Sequence, residues 1–203
     1  MAKKGKGGTV LAIGLGFGAV ALASAALAGD RRKMPKMSLE QVLELVEKYS
    51  KALGVPRSLV IAIFNIESNF RIDAENHTPR AEARGGAWGI GQITLETAKD
   101  ITKRFPETAK KLWPNWDGTG PGLLDPHINI AMSAFLLARD YKHFTNKGDA
   151  WLLAGLAHHQ GRGNVEKFLR EGNGKIVEDK LPPNGKRYWL QLKDYRQYAA
   201  DVV

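Results

Sequence analysis

The apolar positions of this chain fall into blocks of different period. Thr9 to Ala28 carries no charge, a run about long enough to cross a bilayer as a helix. Ser38-Leu-Glu-Gln41 then has the form of a capping box. Leu39, Val42, Leu43, Val46 and Leu53 keep helical spacing until Gly54 supplies a stop. Pro56 opens a stretch, Leu59 to Ile66, that is apolar on nearly every side, which predicts a helix buried in a core. Leu95 to Phe105 (entered near Thr94), Asp125-Pro126 to about Phe144, and Ala150 to His159 read as further helices, the last ended by Gly161-Arg-Gly163. A short helix is expected from Asn164 to Arg170 and an aromatic-rich one from Lys186 to Val203. Arg71 to Gly86, Pro106 to Gly122 and the segment through Pro182-Pro183-Asn184-Gly185 read as loops, and Trp88 to Ile93 as a glycine-punctuated turn. No segment alternates with period two, so strands should be few. The pattern predicts a mainly α domain, residues 38–203, behind a hydrophobic segment at 1–29 and a basic linker at 30–37.

The first segment has competing readings. Lys3, Lys4 and Lys6 before it and the small-residue site Ala26-Leu27-Ala28 suit a secretory signal cut near Ala28, with release to the periplasm. An uncleaved transmembrane anchor would use Gly14, Gly16 and Gly18 for close helix packing. A buried helix of the domain is the third reading. The apolar run is long for a signal, and Asp30-Arg-Arg-Lys33 after it resists export, so the anchor is preferred. Residues 9–28 then tie the chain to a membrane, with the domain facing the periplasm or cell wall, in a cell envelope or a phage virion membrane.

Composition narrows the chemistry. The chain has no cysteine, which excludes disulfides, a thiolate nucleophile and Cys-ligated zinc. A net charge of +9 favours polyanions, whether nucleic acid, anionic lipid or an acidic wall polymer. The five tryptophans do not separate these, because aromatic rings stack on both sugars and bases.

The polar residue of interest is Glu67, which closes the buried helix. A carboxyl group in apolar surroundings is costly to ionise, and one that keeps its proton near neutral pH serves as a general acid. The alternative is a structural Glu capping a turn. Three blocks bear on the choice. Glu67-Ser68-Asn69-Phe70 is followed by Gly86-Ala-Trp-Gly-Ile-Gly-Gln92-Ile93 and then by Ala157-His-His-Gln-Gly-Arg-Gly163, the last preceded by Asp125-Pro-His-Ile-Asn129. From about Ser38 to Tyr198 this resembles the soluble-lytic-transglycosylase (SLT) family, whose lysozyme-like domain cleaves peptidoglycan.

The resemblance implies that Glu67 is the sole catalytic acid/base and that peptidoglycan glycan strands are the partner, with no cofactor, metal or nucleic acid required. It implies substrate-binding roles for Ser68, Asn69, Trp88, Ile90, Gln92, His158, His159, Gln160 and Tyr188, with Tyr195 and Tyr198 competing for the last position. Two departures stand out. Gly91 replaces the family's usual methionine, which suggests a more open cleft floor. His158 and His159 replace a Tyr-Asn pair, which bears on how the intermediate is held and which product forms.

The chemistry can be stated independently of the family. One carboxyl suffices if it protonates the leaving oxygen and then takes the proton of the muramic acid C6 hydroxyl as that oxygen closes on C1, giving a 1,6-anhydro end. Hydrolysis needs a second carboxylate, for which Asp73, Glu75 and Glu82 are the nearby candidates. A non-catalytic, membrane-anchored peptidoglycan-binding protein is the reading from another class. A secretion apparatus or a virion that opens the wall would each use such an enzyme.

Other residues have bland readings. Trp88 either stacks on a sugar or fills the core, and Trp113 and Trp116 are equally ambiguous. Adjacent histidines on a helix point about 100° apart, which argues against a metal pair at His158-His159. Gly161 and Gly163 read first as a helix-ending turn.

Overall fold

The computed structural model describes residues 37–199, and the hydrophobic segment and most of the basic linker lie outside the described residues. The capping box forms as its residues require. Ser38 Oγ accepts from the Gln41 backbone N–H, and Gln41 Oε1 accepts from the Ser38 N–H, opening α1 (Leu39–Leu53), which Gly54 closes in a left-handed conformation. The apolar run becomes α2 (Arg57–Ser68), in which every residue from Leu59 to Phe64 is buried. Helix α6 (Pro126–Phe144), capped by Asp125, lies along α1 and along α7 (Ala150–Gln160), capped by Asp149. Each of these caps is a short polar side chain accepting the otherwise unpaired N–H groups of a first turn. Helix α8 (Arg162–Glu171) and helix α9 (Pro183–Leu192) both pack on α7. One core runs through all of them, centred on Leu59, Ile63, Phe64, Ile130, Leu137 and Leu156.

Between α2 and α6 the chain is short-ranged and glycine-rich. Two-residue strands β1 (Glu75–Asn76), β2 (Ala87–Trp88) and β3 (Ile93–Thr94) pair antiparallel in that order, Glu75 opposite Trp88 and Trp88 opposite Ile93. A one-turn helix α3 (Pro79–Glu82) rises between the first two, and α4 (Leu95–Arg104) follows the third.

Several loop expectations need correction. Pro106 to Gly122 is not one loop, since it contains α5 (Pro106–Leu112) and the start of a 3-10 turn, Pro121–Leu124. Pro183 likewise begins α9. Both prolines occupy the first helical turn, where no N–H is needed and a φ near −65° suits the helix. The segment 71–86 also holds β1 and α3. The closing helix ends at Leu192, and Tyr195–Ala199 continues as a separate 3-10 turn. Among the described residues no helix is long and apolar enough to cross a membrane.

Candidate active site

Helix α2 ends in a tight reversal that positions its last two residues. Asn69 and Phe70 both have positive φ, 52° and 61°, and their N–H groups return to the Asn65 and Phe64 carbonyls. A left-handed Phe is sparsely populated and persists only where its surroundings over-determine it. Ser68 is drawn inward, its Oγ 2.8 Å from the Ile90 carbonyl and 3.1 Å from that of Phe64. It ties the glycine turn to α2, and Asn69 is exposed.

Glu67 lines a cleft of about 320 Å³ between this helix bundle and the strand-bearing loop. Its side chain is only 12% exposed. Oε1 lies 3.2 Å from His159 Nδ1 on α7, and the His159 ring stacks on Tyr188 of α9 with centroids 4.2 Å apart and planes at 11°. Burial first, and the Glu67 carboxylate second, hold the Tyr188 phenol well above its ordinary pKa, so the hydroxyl keeps its proton. It faces Glu67 without reaching regular hydrogen-bond geometry. The aromatic wall thus fixes the imidazole, and the imidazole holds one oxygen of the carboxyl.

The opposite wall is the glycine turn. Gln92 has φ 50°, and its Nε2 donates to the Ala74 and Gly89 carbonyls at 3.2 and 3.0 Å. Both amide hydrogens are used, so Oε1 remains as an acceptor for a ligand. His158 Nε2 donates to the Gly91 carbonyl at 2.8 Å, tying α7 to the turn. The two adjacent histidines therefore serve different partners. Gly91 does not open the cleft floor as expected. A β-carbon there would collide with Ser133 Oγ and sit 3.0 Å from Asn129 Oδ1 and 3.2 Å from Phe64, so the space is already filled.

Of the residues singled out from the sequence, Glu67, Gln92, His158 and His159 line the cleft. Ile90 does not, being fully buried. Trp88 is wedged against Gly86 and Gly120, donates Nε1 to the Gly85 carbonyl and meets His77 edge-on; it fills the base of the loop. Gln160 is buried beside Gly185, and its Nε2 has no partner. Trp113 is a core residue, and Trp116 donates to the Thr119 carbonyl.

Sequence reasoning missed two organisers. Asn129, wholly buried on α6, accepts from the Gly91 N–H and donates to the Trp88 and Leu123 carbonyls, each at 2.8 Å. Its signal was an amide between Ile128 and Ile130 on an apolar helix. Asp140, only 2% exposed, is gripped by Arg139 and Arg162, with Nε distances of 2.9 and 2.8 Å to Oδ1. The hydrolytic candidates sit elsewhere. Glu75 and Glu82 both bind His77, and neither they nor Asp73 line the cleft.

The family model described as "Transglycosylase SLT domain" matches residues 44–179. The chain belongs to that family. Its fold is the lysozyme-like one of the peptidoglycan lytic transglycosylases. Among solved structures it is similar to the 70 kDa soluble lytic transglycosylase of Escherichia coli, at 23% identity and a TM-score of 0.58, over 90% of this chain and 28% of that one. The chain therefore spans little more than a quarter of that protein, and the likeness is one of fold. No curated protein matches.

Proposed function

We propose that this SLT-family domain cleaves the β-1,4 bond between N-acetylmuramic acid and N-acetylglucosamine by the one-carboxylate route. The observation that supports it is the inventory of acids in the cleft. Among the described residues only Glu67 and Asp140 bring carboxylates to its lining. Asp140 is 2% exposed and held by two guanidiniums, Arg162 on Oδ1 and Arg139 on both oxygens. It is therefore a buried, charge-paired group rather than a carboxylate presented to a water or a sugar carbon. Glu67 works alone.

With the imidazole proton on Nδ1, His159 donates to Oε1 and leaves Oε2 to the substrate. Glu67 gives a proton to the glycosidic oxygen as the C1–O bond breaks and positive charge spreads over the ring. The carboxylate then takes the proton of the C6 hydroxyl while O6 bonds to C1. No water is consumed and Glu67 ends protonated again. His159 stands where the family commonly has asparagine, and the Tyr188 stack holds it in place.

The test is mass spectrometry of muropeptides released from purified peptidoglycan. The native chain should give 1,6-anhydro-muramyl ends, and Glu67→Gln should be slower by about 10²–10⁴-fold, the usual worth of a positioned acid/base. Reducing ends would mean that water is the nucleophile and would sink the route.

Residues 9–28 carry the second half of the proposal. Their uncharged length supports delivery of the domain to a membrane, as an anchor or a signal, for local wall opening by a cell envelope or virion apparatus. Full-length mass in the membrane fraction of expressing cells is expected for an anchor. A chain that stays in the soluble cytoplasmic fraction would refute membrane delivery.

A further inference from the structure

The walls of the cleft are more cationic than cleavage of a neutral glycan requires. They carry four arginines (Arg80, Arg84, Arg139 and Arg162) against two carboxylates, Glu67 and Asp140. One guanidinium would neutralise Asp140. It has two, bound through Nε and Nη2 of each. A buried anion with two cations leaves a net positive charge in a partly dry wall, and each fork keeps N–H donors to spare. Arg139 and Arg162 remain 22% and 33% exposed, so those donors reach solvent at the cleft. Across from them on α3, Arg80 is exposed and has no ion pair or side-chain hydrogen bond among the described residues. Arg84, just beyond α3, shares its charge with Glu96 at 3.4 Å.

The sugar backbone of peptidoglycan offers this wall nothing anionic. N-acetylglucosamine is neutral, and the lactyl carboxyl of muramic acid is consumed in the amide to its stem peptide. Free carboxylates sit on that peptide, or on the lactyl group once the peptide has been removed. A planar two-donor fork matches a carboxylate.

Resting on the glycan-cleaving reading of the same cleft, we propose that Arg162 and Arg139, faced by Arg80, form a carboxylate subsite that binds the acidic substituent of the muramic acid beside the scissile bond. Arg162 and Arg80 are its testable members. Removing Arg162 leaves Asp140 still paired with Arg139, and among the described residues Arg80 has no partner to orphan.

The full chain carrying Glu67→Gln, which binds without consuming its ligand, should be sedimented with two purified materials. One is peptide-bearing peptidoglycan, the other the same glycan stripped of peptides by an amidase. Adding Arg162→Gln should weaken binding about tenfold, as expected for a charge-assisted hydrogen bond in a partly buried wall. Arg80→Gln should weaken it about two- to fivefold, as for an exposed charge. Losses confined to peptide-bearing material identify stem carboxylates as the ligand. Losses on stripped glycan identify the lactyl carboxylate. Unchanged affinity for both materials in both variants, with native thermal melts, overturns the subsite. Because binding is read in a variant that need not turn over, that result is distinct from absence of anhydro products, which bears on the cleavage reading alone.

Discussion

The two walls of the cleft are held by different physics. The wall bearing Glu67 is a helix bundle in which α2, α6, α7 and α9 bury apolar side chains, and the carboxyl sits near the end of a helix buried from Leu59 to Phe64. The facing wall, from β1 to the turn before α6, has three strands of two residues each and is held by particular atoms. Asn129 binds three backbone groups, Ser68 binds Ile90, Gln92 binds Ala74 and Gly89, and glycines give way to Trp88 and Ser133. The helix that carries the acid is positioned by non-directional burial, which tolerates repacking, and His159 adds a directional contact to the carboxyl. The surface that meets the sugar is positioned by directional bonds, each of which is costly to leave unmade. Damage to the first should appear as lost stability, and damage to the second as lost activity at smaller stability cost.

The largest break is on the bundle side. Phe64→Ala removes a fully buried ring from α2 and should cost about 3–5 kcal/mol. Urea unfolding should show a lower midpoint with activity lost in proportion to the unfolded fraction. Asn129→Ala is the counterpart on the turn side. It orphans the Gly91 N–H and two carbonyls, for about 2–4 kcal/mol after relaxation. Cleavage of peptidoglycan should fall further than the urea midpoint predicts, and a matched fall would mean the turn is not separately positioned.

Gly91→Ala comes next. Overpacking against Ser133 and Asn129 should cost about 1–3 kcal/mol, and pairing it with Ser133→Gly should recover much of the loss, since the two sites share one contact. Additive losses would contradict the collision as the cause.

The smallest effect is electrostatic and confined to the loop rim. Hydrogen bonds donated by His77 to Glu82 and then to Glu75 hold the imidazole above its ordinary pKa. A raised folded pKa stabilises fully below the unfolded value near 6.5 and loses that contribution as pH rises through the folded one. At so exposed a position it amounts to under about 1 kcal/mol. Thermal melts of the native chain should therefore fall slightly more between pH 6 and 8 than those of His77→Gln. Parallel curves would remove the pair as a stabiliser.

These contrasts explain what could be read in advance. Helices α1, α4 and α6 were legible because each combines an apolar pattern with a nearby cap, Ser38, Thr94 and Asp125, while α2 and α7 were legible from their apolar runs, α2 having Pro56 and no side-chain cap. The α5 and α9 starts were not, because a proline punctuates a loop and opens a helix equally well until its neighbours are known. Glu67 was legible as a lone acid ending an apolar run. Ile90 and Trp88 stood in the motif, yet a glycine turn gives no period from which to tell which side chains face out, and both turned inward.

What the amino-acid order determines by itself is therefore local: the helices, their caps, the buried course of α2 and the acid at its end. These depend on residues three or four apart, whose contacts every copy of the pattern makes. Only the tertiary structure decided that His159 would reach Glu67, that Asn129 would bind the turn around Gly91, and that Arg139 and Arg162 would share Asp140. The His159–Glu67, Asn129–Gly91 and Arg162–Asp140 pairings join positions 22 to 92 residues apart. They exist because burial of the bundle brings polar groups together in a place where each must find a partner or remain unsatisfied.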